Sequence, residues 1–381
     1  MLETFLNAKP LYYDKIDYTR MPRIYESVKE HIKIPKIIHI VGTNGKGTTG
    51  RFLASALRAK KYEVGHYTSP HILNFNERIW LNGSDVSDAL LNRAHEELLS
   101  LLSKEDADSL SYFEYTTLLA VYIFQDMDYI VLEAGLGGEH DATAVFKNIL
   151  TLVTPISLDH EAFLGNDIKS IATTKLRAVQ KRAILSEQKN EEVFNVADAL
   201  AKERALPFEK HSRYLKQEDR DKIEIISKNN KLPEYLKENL GLAISALKSL
   251  DISYEVEDFS NSRLFGRLTP LSENVLLDVG HNALAAKSIQ DSLKGSKRTL
   301  IYNSFKDKEY KEILATLKPV INDVEIILIE DERAESLDIM RETLQTLDIE
   351  YKMFQKIQSD KEYLVFGSFS VAEAFLKAYD E

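Results

Sequence analysis

The chain has 381 residues, 44% of them hydrophobic and 29% charged, which suits two or three soluble globular domains with sizeable cores. A net charge of −11 argues against nucleic acid as a main partner, and any anion site must be built locally from Lys, Arg, helix N-termini or bound cations. Zero cysteines exclude disulfides and thiolate metal sites and fit the cytoplasm; no apolar run nears the ~20 residues of a membrane span, and the start lacks a secretory leader.

Apolar runs at 37–41, 129–133, 149–153, 182–185, 274–278, 299–302, 325–328 and 363–366 read as strands, several apolar nearly throughout, as strands covered on both faces are. Helical periodicity lies between them, for example at 90–102, 115–124, 239–250 and 283–293. This alternation predicts α/β architecture with mostly parallel sheets. The charge-rich stretch 210–238 is expected to form a surface hairpin or loop. A domain boundary is expected between Asp251 and Arg263, where 255–262 has no strong periodicity. The expected domains are 1–258, a mostly parallel sheet domain with a phosphate loop, and 263–381, a smaller Rossmann-like α/β domain.

The phosphate loop is Val41–Thr49, V-G-T-N-G-K-G-T-T, directly after Ile37-Ile38-His39-Ile40. Its glycines let backbone N–H groups and the start of the next helix approach phosphate oxygens, while Lys46 supplies a charge and Thr48 or Thr49 a hydroxyl. The register is not that of a Walker A loop, because Gly47 follows the lysine where a hydroxyl residue is expected. Downstream, Thr68-Ser69-Pro70-His71 ends a strand, and Ser69 either caps a turn or offers an oxygen to a hard cation. Tyr112-Phe113-Glu114-Tyr115 carries aromatics that suit either the core or stacking on a flat ring. Glu133 ends a buried strand before the turn Gly135–Gly138, where it either caps that turn or holds Mg²⁺ near phosphates. His160, taken alone, reads as a hydrogen-bonded structural histidine, Lys175 as a helix-face lysine or a phosphate contact, and Asp278 as a helix cap.

In order along residues 37 to 370, these segments resemble the folylpolyglutamate synthase/dihydrofolate synthase family of the Mur ligase superfamily. The loop is similar to T-N-G-K-G-[ST], and 68–79 to T-S-P-H-L-x-x-x-x-E-R-I. Asp141-Ala142-Thr143 matches D-A-T, with Glu139-His140 replacing the usual Arg-Leu, and 158–165 matches L-D-H-x-x-x-L-G. Lys175 aligns with the lysine of E-K-A-G-I, with Thr174, Leu176 and Arg177 replacing its neighbours. Farther on, 239–247 resembles N-A-x-x-A-L-x-A-L, 277–282 resembles L-D-G-A-H-N, and 265–269 resembles P-G-R-x-E with Phe265 for Pro and Thr269 for the acid.

The resemblance implies a Mur ligase-like fold with ATP contacts from Asn44, Gly45, Lys46, Gly47, Thr48, Asn239, Arg267 and Asp278, the last three from a domain interface. It implies Mg²⁺ on Ser69, Glu133 and His160, with a second Mg²⁺ on Lys175 once CO₂ carbamylates it. It places Tyr112, Phe113, Glu114, His140, Asp141 and Ala142 at the substrate, and His281 near a reacting acyl phosphate. The expected enzyme is a monomeric, cytoplasmic ATP-dependent ligase adding L-glutamate to dihydropteroate, to folyl-(poly)glutamate, or to both. Two alternatives stand beside it: a Mur-type ligase using a UDP-linked cell-wall precursor, and a nucleotide-binding regulatory protein without turnover.

Overall fold

Runs of Ile, Val and Leu bounded by polar turns form the strands of two sheets, one in each of two units: Met1–Leu232 with Leu236–Ser262, and Pro233–Tyr235 with Arg263–Glu381. The structure, a computed structural model, describes residues 1–10, 17–159 and 161–379.

The first unit contains β1 (Lys36–Val41), β2 (Val64–Tyr67), β3 (Ile79–Leu81), β4 (Ser84–Asp85), β5 (Tyr129–Glu133), β6 (Asn148–Val153), β7 (Ala183–Leu185) and β8 (Phe208–Lys210). They lie in the order β4-β3-β2-β5-β1-β6-β7-β8. The six from β2 to β8 run parallel, and β3 and β4 fold back antiparallel at one edge. Strand β1 is buried from Ile37 to Val41, which is why its sequence is apolar without alternation. The register sets Ile40 opposite Glu133, Val41 opposite Val153 and Tyr67 opposite Leu132. The carboxyl ends of β1, β2, β5 and β6 therefore share one edge of the sheet, where α/β proteins collect ligands. Helix Lys46–Ala59 leaves that edge and buries Phe52, Leu53, Ala56 and Leu57.

The second unit contains β9 (Thr269–Pro270), β10 (Val275–Leu277), β11 (Arg298–Tyr302), β12 (Ile321–Ile326), β13 (Tyr351–Met353) and β14 (Tyr363–Phe366), ordered β13-β12-β11-β14-β10-β9. All pairings are parallel except that of β9 with β10. Leu300, Tyr302, Val324, Leu364 and Phe366 form its core with Ile313, Leu314 and Leu344 from the covering helices. Both units are thus α/β with mostly parallel sheets, the class the alternation predicted.

Two local expectations are corrected. The charge-rich stretch 210–238 is not loop: Gln217–Asn229 is a helix. It buries only a narrow stripe, Ile223, Ile226 and Ser227, together with Asp219, which accepts from Lys216 N (2.7 Å) and Tyr254 Oη (2.7 Å). With so few apolar positions the periodicity was drowned by the charged outer face. The strand expected at 325–328 lies earlier, at 321–326, and Leu328 is exposed. Glu325 sits inside it, 1% exposed, because Lys352 (3.1 Å) and Lys361 (3.7 Å) neutralise its carboxylate. Among the described residues, no helix is long and apolar enough to cross a membrane.

Candidate active site

The site is built from the strand ends of the first unit. Gly42 (φ +143°) and Gly45 (φ +89°) adopt backbone that disfavours a side chain. A Cβ on Gly42 would stand 2.0 Å from Thr154 Oγ1, and one on Gly45 2.0 Å from Asn239 Nδ2. Between them, Thr43 N (2.9 Å) and Asn44 N (3.3 Å) donate to Pro155 O at the end of β6. Thr43 Oγ1 donates to Ser157 O (3.2 Å) and accepts from Ser157 N (3.1 Å). Gly45 caps helix Lys46–Ala59, whose first N–H groups have no intrahelical acceptor and face the helix's positive end.

Lys46 Nζ donates to Thr43 O (3.2 Å) and lies 3.8 Å from Glu133 Oε1. Glu133 is 4% exposed, and its Oε2 accepts from Thr68 Oγ1 and from Ser69 N (3.4 Å). Lysine, carboxylate and the Thr68-Ser69 loop therefore meet at the ends of three adjacent strands. Gly47 and Thr48 are buried, and the Thr48 hydroxyl, 1% exposed, has no partner among the described residues. A carboxylate and hydroxyl oxygens are the ligands a hard cation takes, and an orphaned buried hydroxyl two residues past Lys46 is the kind of group such a cation satisfies. The residues present thus fit Mg²⁺. Among the described residues, no three His, Cys, Asp or Glu side chains gather as a metal cluster; His160, the third expected ligand, lies outside them.

Lys175 is buried on helix Ile168–Leu176, and its Nζ donates to Gly42 O (3.0 Å). Burial, and then the Lys46 charge, bring its pKa down to about 7, so the neutral amine is abundant near neutrality. The turn Gly135–Gly138 lies against this helix: a Cβ on Gly138 would meet Lys175 Cα at 2.7 Å, and Glu139 N donates to Thr174 O (2.9 Å). Arg177 Nη1 lies 3.8 Å from Glu139, so a guanidinium stands at this turn although Glu139-His140 replace the usual Arg-Leu.

Asn239 sits one turn into helix Tyr235–Ser249 and clamps the phosphate loop, its Nδ2 donating to Gly45 O (3.3 Å) and Thr49 Oγ1 (3.1 Å). Asp141 ties the glycine-rich turn together, accepting from Leu136 N (2.8 Å) and Thr143 N (2.9 Å); burial pushes its pKa up and these bonds oppose the shift. Ala142 is buried beside it, while His140 is exposed and lies against Tyr18, the rings tilted with centroids 4.4 Å apart. Glu114 completes a capping box with Ser111 and pairs with Arg20 (2.9 Å). Tyr112 lies under the Arg78 guanidinium (5.2 Å) and Phe113 against Gly135, both half-buried. The roles of Thr68, Thr43 and Arg20 escaped sequence reasoning, since each depends on a partner far away in the chain.

In the second unit, Asp278 is 4% exposed at the end of β10, and burial raises its pKa against the nearby Arg267 charge. Its carboxylate accepts from Leu268 N (2.8 Å), Gly280 N (2.8 Å) and Tyr235 Oη (2.7 Å). It thereby fixes the loops that carry Arg267 and His281. Thr269 replaces the family's acid and does a cap's work, its hydroxyl accepting from Gly266 N (3.1 Å) and Arg267 N (3.3 Å). The Arg267 guanidinium rests over Phe369 at 5.7 Å, and His281 Nδ1 lies 3.2 Å from Val279 O.

A lysine-bearing glycine loop at a strand end, with a buried carboxylate 3.8 Å from the lysine, marks a phosphate-loop nucleotide-binding α/β protein. No family model matches the chain. The dihydrofolate synthase/folylpolyglutamate synthase of Escherichia coli strain K12 is 32% identical over 310 residues, 76% of this chain and 72% of that protein. The crystal structure of Helicobacter pylori folylpolyglutamate synthetase shares 39% identity at a TM-score of 0.81, covering 100% of this chain and 98% of that one. E. coli FolC in complex with DHPP and ADP shares 26% identity at a TM-score of 0.83, covering 100% and 97%. The chain belongs to the dihydrofolate synthase/folylpolyglutamate synthase family.

Proposed function

We propose that this protein is an ATP-dependent ligase that joins L-glutamate by an amide bond to the carboxylate of a folate-type acceptor, accepting both dihydropteroate and folyl-glutamates. The observation that carries the reading is the approach of Lys46 to within 3.8 Å of the buried Glu133 at the mouth of the phosphate loop, in a chain of this family. A carboxylate oxygen of the acceptor attacks the γ-phosphorus of ATP, the bond from that phosphorus to the β–γ bridging oxygen breaks, and ADP leaves with the bridging oxygen, giving an acyl phosphate. The amine of glutamate then attacks the acyl carbon, a C–N bond forms, the C–O bond to phosphate breaks, and the amine gives up a proton.

Lys46 and the N–H groups opening helix Lys46–Ala59 hold the phosphates and meet the charge that develops on the transferring group. Glu133, Thr48 and Ser69, with His160 by family analogy, would hold Mg²⁺, which when bound neutralises phosphate oxygens. The lowered pKa of Lys175 supports its carbamylation, which would turn a cation into an anion for a second Mg²⁺. Asn239 and Asp278 set the phosphate loop and the Arg267 loop, and Arg267 is assigned to the phosphoryl charge. His281 is assigned to the acyl phosphate, and the Tyr112–Glu114 and His140–Ala142 segments to the pterin end of the acceptor. In this reading the enzyme works as a monomer in the cytoplasm.

The test is amide formation with ATP, Mg²⁺ and L-glutamate, using dihydropteroate or a folyl monoglutamate as acceptor and a UDP-linked precursor as control. Product with both folate acceptors is expected. Product with one alone overturns the dual activity, and ATP binding without product from either overturns the assignment as a ligase.

A further inference from the structure

Gln188, three residues past the end of β7, uses its whole side-chain amide on backbone and hydroxyl groups. Its Oε1 accepts from Ile156 N (2.9 Å), and its Nε2 donates to Ser186 O (3.2 Å), Ser186 Oγ (3.2 Å) and Thr154 O (3.4 Å). The Ile156 N–H and the Pro155 carbonyl belong to one planar peptide, and in a trans peptide these two groups point in opposite directions. That carbonyl is the acceptor for Thr43 N (2.9 Å) and Asn44 N (3.3 Å) in the phosphate loop. One peptide plane is therefore held by Gln188 on one side and carries the phosphate loop on the other.

The consequence is a division of labour among the loop's N–H groups. Those of Thr43 and Asn44 are drawn back onto Pro155. Those opening helix Lys46–Ala59 have no intrahelical acceptor and remain for an anion. Rotation of the 155–156 plane would release the first pair and let the loop slacken. We infer that Gln188 is a positioning residue of the nucleotide site, orienting the Pro155–Ile156 peptide so that the phosphate loop stays in its receiving conformation. The inference rests on the ATP reading above.

The test measures ADP affinity by calorimetry on the full chain, for wild type, Lys46→Ala, Gln188→Met and Gln188→Glu, alongside KM for ATP and for the acceptor. Gln188→Met keeps length but removes the acceptor for Ile156 N–H, whereas Gln188→Glu keeps an acceptor there. For one lost hydrogen bond that orients the loop, the Met variant should bind ADP about 5- to 20-fold more weakly and raise KM for ATP in step. KM for the acceptor should stay within about 2-fold, and the Glu variant, which keeps an acceptor for Ile156 N–H but turns an oxygen toward Ser186 O and Thr154 O, should lose ADP affinity as well. A Met variant with a wild-type melting transition that binds ADP within about 2-fold of wild type overturns the inference, as does an equal loss for nucleotide and acceptor. If the Met variant does not fold, Gln188→Asn, one methylene short of Ile156, carries the same expectation and the same refutation. Failure of wild type to bind ADP, or undiminished binding by Lys46→Ala, would instead refute the ATP site itself.

Discussion

Replacing Gly45 by alanine tests the loop's construction at its tightest point. The added methyl would lie 2.0 Å from Asn239 Nδ2, so the asparagine must swing away. It then gives up its bonds to Gly45 O and Thr49 Oγ1, each worth about 0.5–1.5 kcal/mol. Alanine at φ +89° adds roughly 1 kcal/mol of backbone strain. The sum is about 2–4 kcal/mol, or roughly 5–15 °C in melting temperature for a unit of this size. The informative assay is a double-mutant cycle with Asn239→Ala, read by chemical denaturation. With the amide already gone, Gly45→Ala should cost only the strain term, so the two changes should couple by about 1–3 kcal/mol. Coupling below about 0.5 kcal/mol would refute the view that Asn239 and Gly45 are built against each other.

Two further outcomes follow from the same site. Lys46→Ala should lower turnover by at least about 10²- to 10³-fold while leaving the circular dichroism spectrum unchanged; a variant with full activity would remove Lys46 from the mechanism. Lys175 gives up its proton near pH 7 in the native state but near its ordinary 10.5 when unfolded. Between those values the unfolded chain binds more protons, so native stability rises with pH, and below about 7 the full penalty of the buried charge is present. Lys175→Met removes that penalty, so melting curves from pH 6 to 10 should show the variant gaining most at the acid end and the gap closing with alkali. A gap independent of pH would show that Lys175 is not held neutral by its surroundings.

The strands that sequence located best, Tyr129–Glu133 and Tyr363–Phe366, are buried throughout, so their composition alone declares them. Strand β2, Val-Gly-His-Tyr, was legible only from its end at Thr68-Ser69, because Gly65 and His66 break the apolar run; both are accommodated by neighbours, Gly65 lying under Phe124 and His66 against Gly50. In the site, the phosphate loop and Glu133 were legible because local geometry dictates them: a glycine turn after a strand, and a carboxylate at a strand end. Gln188, Thr154 and the clamp made by Asn239 were not, because each acts on a backbone group brought to it only by the sheet order. Thr269 shows the converse: where the sequence departs from the family's motif, its hydroxyl accepts from the N–H groups of Gly266 and Arg267.

The strands at the margins of the two sheets bear on how the chain behaves at high concentration. An open margin exposes unpaired backbone groups that invite pairing with another molecule. Here β4 is two residues long and exposed, and β8 ends in Glu209-Lys210. Margin strand β9 is again two residues and includes a proline, which has no N–H to offer, and β13 is three residues with Lys352 at its centre. All four margins thus combine brevity, charge or proline, the means by which natural sheets avoid templating fibrils. The fourteen strands among the described residues are carried with little exposed capacity for intermolecular β-pairing, and aggregation of this protein should begin from unfolded chains, not from the folded sheets.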